Sequence, residues 1–224
     1  RKQDGTYTYF VPDVAYHINK WTRGFRTAIN EQGADHHGTI ARVRAGLQAL
    51  NKTIPKKWPT YLLHQMVTVI RNEEEVKISK RAGEYLTLSE LVSEVGSDAT
   101  RYFLVARAPN SQLVFDIDLA MSKTNDNPVF YIQYAHARIS SVLRKMNELD
   151  RDWMKNINPS NSKLILEKEE HIILQYLMKF PEVLKQAAQQ YELHGIANYL
   201  RELAGEFHSY YNSYKVLVED KELR

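Results

Sequence analysis

The sequence predicts a mainly α-helical protein, a partial α/β unit followed by a longer helical bundle. Three observations carry this. Strand-like and helical runs alternate over roughly the first 80 residues, which is α/β patterning. Helical spacing takes over after Gly83 and persists to the end. The clearest loop in the second half is the polar stretch "NINPSNS". We expect two domains, residues 1–122 and 123–224, with the boundary in the connector at 120–127.

Each element has its own signal. "DGTYTYFV" alternates polar and aromatic residues and predicts a short strand. Pro12 and Asp13 suit a first helical turn, and Gly24 suits its stop. "RTAIN" predicts a second strand, and "QGADHHG" a Gly-bounded polar loop. Ile40, Val43, Leu47 and Leu50 then recur at helical spacing. Met66, Val67, Val69 and Ile70 form a β-branched run, and an acidic turn leads to a strand at Val76–Ile78. Thr87 with Glu90 forms a capping-box pattern closed by Gly96, and Ser97 is the expected N-cap of the next helix. "VFDIDLA" reads as an extended connector. Val129, Ile132, Ala135, Ile139, Val142, Met146 and Leu149 trace one helical stripe, and two further helices follow the "NINPSNS" loop.

Composition excludes several classes. The 224 residues contain no Cys, so neither a disulfide framework nor a thiolate metal site is possible. No apolar run is long enough to span a bilayer, and "RKQDGTYTY" is not a signal peptide. We therefore expect no membrane partner and a cytoplasmic location. Net charge is +3. The first 120 residues hold 16 Lys or Arg against 13 Asp or Glu, and the remainder 14 against 14. A balance this even is not the signature of a generic nucleic-acid binder.

Four constellations carry chemistry. "KISKR" places Lys77, Lys80 and Arg81 around Ser79, with Gly83 nearby. Such a loop can wrap a polyphosphate and offset charge that builds on its oxygens, or it can be a solvated basic hairpin end. "GADHHG" brackets Asp35, His36 and His37 between Gly33 and Gly38. Adjacent histidines chelate one ion poorly and no third ligand lies at helical spacing, so no bound metal is expected. A turn that lets backbone approach a ligand, with Asp35 as acceptor, suits it better, and a plain capped turn remains open. Tyr9 and Asp13 lie four apart at a strand-to-helix junction, able to grip a cation or simply to pack and cap. In "NPVFYIQYAHARI", Tyr131, His136 and Arg138 interleave with the apolar stripe, as stacking surfaces for bases or as bundle packing.

In this order, "DGTYTYF..D.AYH..K", "GADHHG...R..A", "KISKRAG", "L..EVG.DA.RYF", "FDIDLA" and "NPVFYIQYAHARI" resemble the arginyl-tRNA synthetase family of class I, bacterial type, over essentially the whole chain. "KISKR" resembles that class's KMSKS loop, with Ile78 for Met and Arg81 for the last Ser. The resemblance implies the second half of a Rossmann-like catalytic domain at 1–122 and a helical anticodon-binding domain of DALR type at 123–224. It implies that Tyr9, Asp13 and Asp35 contact arginine. It implies that Gly33, Asp35, Lys77, Ser79 and Lys80 hold ATP, with Lys80 and Lys77 catalytic. ATP with Mg²⁺, arginine and tRNA(Arg) are the implied substrates and partners, and the parent is expected to be a monomer. Tyr131, His136, Arg138 and Arg201 are the candidate tRNA contacts.

The sequence also departs from the family. It lacks the His-x-Gly-His segment of the first catalytic half, and the family usually continues beyond "VLVEDKELR". We therefore expect a fragment, truncated in its last domain and inactive alone, with an open edge on its parallel sheet. Two alternatives are a tRNA-binding helical module with a vestigial nucleotide-binding part, and an unrelated nucleotidyl transferase sharing the phosphate loop.

Overall fold

A computed structural model describes residues 2–51, 53–76, 86–155, 157–165 and 167–220. The loop candidates Lys77, Ser79, Lys80, Arg81 and Gly83, with Ile78, lie outside the described residues. The chain forms two compact units, residues 1–67 with 109–113, and residues 68–108 with 114–224. The expected boundary at 122 falls within the second of these.

In the first unit, helix α1 (Phe10–Thr22) carries Asp13 in its first turn. It ends at Gly24, whose φ of +93° favours a residue without Cβ. Arg26 seals the end by donating to the Trp21 carbonyl at 3.0 Å while lying over the Trp21 ring. The strand expected over "DGTYTYFV" does not form. Asp4 accepts from the Thr6 amide and hydroxyl at 2.9 and 2.6 Å, which closes a turn through Gly5, and Phe10 already belongs to α1. Strand β1 (Ile29–Gly33) pairs in parallel with β2 (Thr60–His64), Ile29 facing Thr60 and Gly33 facing His64. No third strand joins this sheet among the described residues, in keeping with the expected open edge. The "QGADHHG" loop is shorter than its composition suggests. Ala34–His36 form one 3₁₀ turn, and helix α2 (His37–Leu50) starts at the second histidine.

Val14, Val43, Leu47, Ile54 and Trp58 form the core of this unit, with Ile18, Trp21 and Ala28 against it. Helices α1 and α2 meet at Gly46. A Cβ there would lie 2.9 Å from Val14 Cγ2 and 3.0 Å from Phe10 Cζ, so glycine permits the close crossing.

The second unit is built on β3 (Val67–Arg71), β4 (Glu74–Glu75) and β5 (Leu113–Asp116) in the order β4-β3-β5. Asn72 and Glu73, both at positive φ, make the tight turn between β3 and β4. Thr87 and Glu90 form the expected capping box of α3 (Leu88–Val95). Ser97 is not the N-cap of α4 (Ser97–Val105). Gly96, at φ +91°, holds that position, and no side chain caps the helix. The expected connector contains β5 and the short helix α5 (Ile117–Met121), capped by Asp116 through the Leu119 amide. Val69, Leu91, Ala99, Phe115, Ile117, Ala120 and Val129 form one core.

Helix α6 (Pro128–Leu149) has Asn127 as N-cap and Pro in its first turn. Helix α7 (Lys168–Gln190) opens with a Glu167/Glu170 capping box and ends at Tyr191 in the left-handed region. Helix α8 (His194–Ser213) packs on both α6 and α7. Among the described residues no helix is long and apolar enough to cross a membrane.

Candidate functional site

The sequence of α1 puts Tyr9, at its N-cap, and Asp13 one turn apart on the same face. That face forms one wall of a cavity of about 1070 Å³. Gln32 near the end of β1, His36 in the 3₁₀ turn, and Thr39 and Arg42 on α2 line the remainder, over a floor that includes Val43 and Gly46. The volume is ample for a small polar substrate. Tyr9 and Asp13 are thus brought together. Tyr9 is 88% exposed, so it is a rim residue and not the core aromatic that its spacing also allowed.

Asp35 lies between two lining residues, Gln32 and His36, and is not itself part of the wall. Its Oδ2 is 3.6 Å from His36 Nε2. Its Oδ1 sits where a side chain on Gly33 would begin, 2.4 Å from the position of a Cβ. The close approach that glycine permits at 33 is therefore by Asp35 itself. Among the described residues no group of three His, Asp or Glu could hold a metal ion.

Several residues of the site escaped sequence reasoning. His17 lies one turn below Asp13, is 1% exposed, and has its Nε2 3.5 Å from Asp13 Oδ1. Burial pushes its pKa below the usual imidazole value, Lys20 adds to the depression, and Asp13 opposes it. Tyr61 of β2 and Trp58 stand edge-on to the His17 ring, at 6.5 and 5.9 Å between centroids. Burial raises the Tyr61 phenol, Asp13 adds to this, and Arg44 offsets part of it. Arg44 lies over the Tyr61 ring and donates to the carbonyls of Lys57 and Pro59. The missed signal was the four-residue step from Asp13 to His17, which places both on one helical face.

The tRNA candidates separate by exposure. His136 and Arg201 are exposed. Tyr131 and Arg138 are engaged between α6 and α8. Arg138 Nη1 donates to His208 Nδ1 at 3.0 Å and Asn212 Oδ1 at 3.1 Å, and Nη2 donates to the Tyr134 hydroxyl at 3.1 Å. A guanidinium only donates, so His208 Nδ1 accepts. The ring proton then sits on Nε2 and is given to the Tyr131 carbonyl at 3.0 Å.

Comparison with known proteins places these residues in a class. A family profile described as the DALR anticodon binding domain matches residues 132–224. The whole chain is similar to an arginine–tRNA ligase from Geotalea uraniireducens, 60% identical over 227 residues, covering 100% of this chain and 40% of the relative. It is 58% identical to the ligase of Geotalea daltonii, again over 100% of this chain and 40% of the relative. Among solved structures, one assigned to an arginyl-tRNA synthetase from Campylobacter jejuni superposes with a TM-score of 0.85 at 35% identity, covering 99% of this chain and 47% of that one. The class these likenesses point to is that of aminoacyl-tRNA synthetases, with the helical region covered by the anticodon-binding profile. Within it, the chain is similar over its whole length to one portion of arginine–tRNA ligases. It spans about 40% of the length of the curated relatives it matches.

Proposed function

We propose that the chain is the arginine-gripping and anticodon-binding portion of an arginine–tRNA ligase. The full-length enzyme joins arginine to ATP as arginyl-adenylate and passes the arginyl group to tRNA(Arg). The supporting observation is that Tyr9 and Asp13 face one cavity in a chain 60% identical to an enzyme named for this reaction.

In this reading the Asp13 carboxylate pairs with the substrate guanidinium, a planar donor fork that suits two carboxylate oxygens. Tyr9 covers the same end of the substrate from the rim. Asp35, beside Gly33 at the C-terminal end of β1, accepts from the amino-acid and nucleoside groups where the two substrates meet. Lys77, Ser79 and Lys80 hold the ATP phosphates. The arginine carboxylate oxygen attacks the α-phosphorus in line, the bond to the bridging β-phosphate oxygen breaks, and pyrophosphate leaves with its electron pair. Lys80 and Lys77 offset the charge on the leaving group, and positioning does the rest. Mg²⁺ accompanies ATP as part of the substrate.

Residues 123–224 carry the anticodon contact, with His136 and Arg201 as its exposed candidates. The division at 122/123 is kept for function, since the matched domain profile begins at 132. The 224 residues alone are expected to be inactive, and the parent to act as a monomer in the cytoplasm.

The test is arginine-dependent ATP–pyrophosphate exchange by the full-length ligase. Lys80→Ala is expected to lower kcat by about 10²-fold or more with little change in arginine KM. Equal activity in the 224-residue chain and the full-length enzyme would overturn the fragment reading.

A further inference from the structure

We propose that His17 is a positioning residue that controls how much of the Asp13 charge is available to a cationic substrate. Its neutral imidazole, buried beneath the carboxylate, leaves Asp13 free to face the cavity. Its protonation draws Asp13 into an internal ion pair. This rests on the assignment of Asp13 to the substrate guanidinium.

The geometry carries the argument. His17 is 1% exposed, and neither ring nitrogen has a hydrogen-bond partner. Leaving a buried imidazole N–H unpaired is costly, so an arrangement that keeps it so needs a reason. Asp13 Oδ1 lies 3.5 Å from Nε2. That is longer than a hydrogen bond and short enough to become one with a small rotation of the carboxylate. Trp58 Nε1 and Tyr61 Oη, on the rings that stand edge-on to His17, also lack partners. The surroundings of the His17 ring therefore hold several donors without an acceptor, and the Asp13 carboxylate lies within a short rotation of one of them. Asp13 itself lines the cavity, so turning onto His17 would take its charge from that wall.

The groups acting on His17 are few. Asp13 favours its charged form. Lys20 on the same helix and burial oppose it. From β2 the neutral Tyr61 phenol faces it, with Arg44 of α2 beyond that ring. Near neutral pH the balance favours the uncharged ring. On acidification the imidazolium and the substrate cation compete for one carboxylate. Binding of either weakens binding of the other by the same factor, as linkage requires.

The experiment measures arginine KM at saturating ATP between about pH 5 and 8 in the full-length ligase, for the unsubstituted enzyme, H17Q and D13N. Arginine KM is expected to rise by up to about tenfold per pH unit below the His17 pKa. H17Q, which cannot take a proton, is expected to lose this acid limb. Because H17Q can disturb packing, a second readout uses the unsubstituted protein. Histidine-selective NMR titration should show the His17 pKa falling when arginine is saturating. An acid limb that persists in a folded H17Q enzyme, or a His17 titration indifferent to arginine, overturns the proposal while leaving the substrate site intact. D13N with unchanged arginine KM overturns the substrate assignment and this inference with it.

Discussion

Asn127 is the residue whose loss is most directly priced by its surroundings. It is 3% exposed. Its Oδ1 accepts from the Val129 amide at 3.0 Å and, at 3.5 Å, from the Phe130 amide. Its Nδ2 donates to the Ala120 carbonyl at 3.0 Å and the Ser122 carbonyl at 2.8 Å. One side chain therefore caps α6 and ties it to the end of α5. Asn127→Ala removes an N-cap worth about 1 kcal/mol. It also strips the amide donor from two carbonyls in a buried setting, at about 1–3 kcal/mol, with water recovering part of this. We expect a net loss of about 2–4 kcal/mol, read from urea unfolding of the 224-residue protein by circular dichroism. Asn127→Asp separates the two roles. It keeps the capping acceptor, loses both donated bonds, and sets a carboxylate against two carbonyl oxygens. It should destabilise at least as much as Asn127→Ala. If Asn127→Ala stays within about 0.5 kcal/mol of the parent, the junction is not held by this side chain and the reasoning fails.

Three other outcomes follow from the same structure. Tyr210 and Tyr214 are each pushed up to about 12, Tyr210 by burial and its bond to Glu170, Tyr214 by its bond to Glu167 and then by burial and Glu169. A folded pKa above the unfolded 10.0 means that their stabilising effect is complete below pH 10 and lost as pH rises through about 12. Spectrophotometric titration of the phenolates should show a late-titrating group of tyrosines, part of which moves toward the ordinary value in Glu167→Gln/Glu170→Gln. Gly33→Ala should displace the Asp35 carboxylate, because the new Cβ falls 2.4 Å from Oδ1. Since Asp35 is exposed and can rotate, stability should change by less than about 1 kcal/mol while full-length ligase activity falls by about tenfold or more. Arg201→Ala should weaken tRNA binding and reduce the salt slope by about one, whereas Arg138→Ala should act mainly on stability, by about 1–3 kcal/mol, through the unpaired His208. Filter binding over a salt series and thermal unfolding distinguish the two.

What was legible in the sequence was local. The Thr87/Glu90 capping box, the stop at Gly24 and the helix α6 are set by residues near one another in the chain, and each formed, although Ile139 and Leu149 of the α6 stripe are exposed. The "DGTYTYFV" strand failed because alternation specifies a strand only if a neighbouring strand exists to pair with it. Here Asp4 offered Thr6 a local bond instead. Ser97 lost the N-cap position to Gly96 because two helices share that junction and its positive φ excludes a side chain. At the site, Tyr9 and Asp13 were readable because one helix turn joins them. Gln32 and Arg42 were not, because their convergence depends on how α1, β1 and α2 fold onto one another, whereas His17, one turn from Asp13 on the same helix, was open to the same reasoning. For Arg138 the sequence allows both base stacking and bundle packing, because the partners that hold it in the bundle, His208 and Asn212, lie 70 and 74 residues further along the chain.

The central claim is that Asp13 receives the guanidinium of arginine in the cavity between α1 and α2. A crystal structure of the full-length ligase with arginine bound tests it most directly. We expect guanidinium nitrogens within about 3 Å of the Asp13 carboxylate, with Tyr9 over the same end of the ligand. An arginine bound with its guanidinium on other residues, and Asp13 turned onto His17, would contradict it.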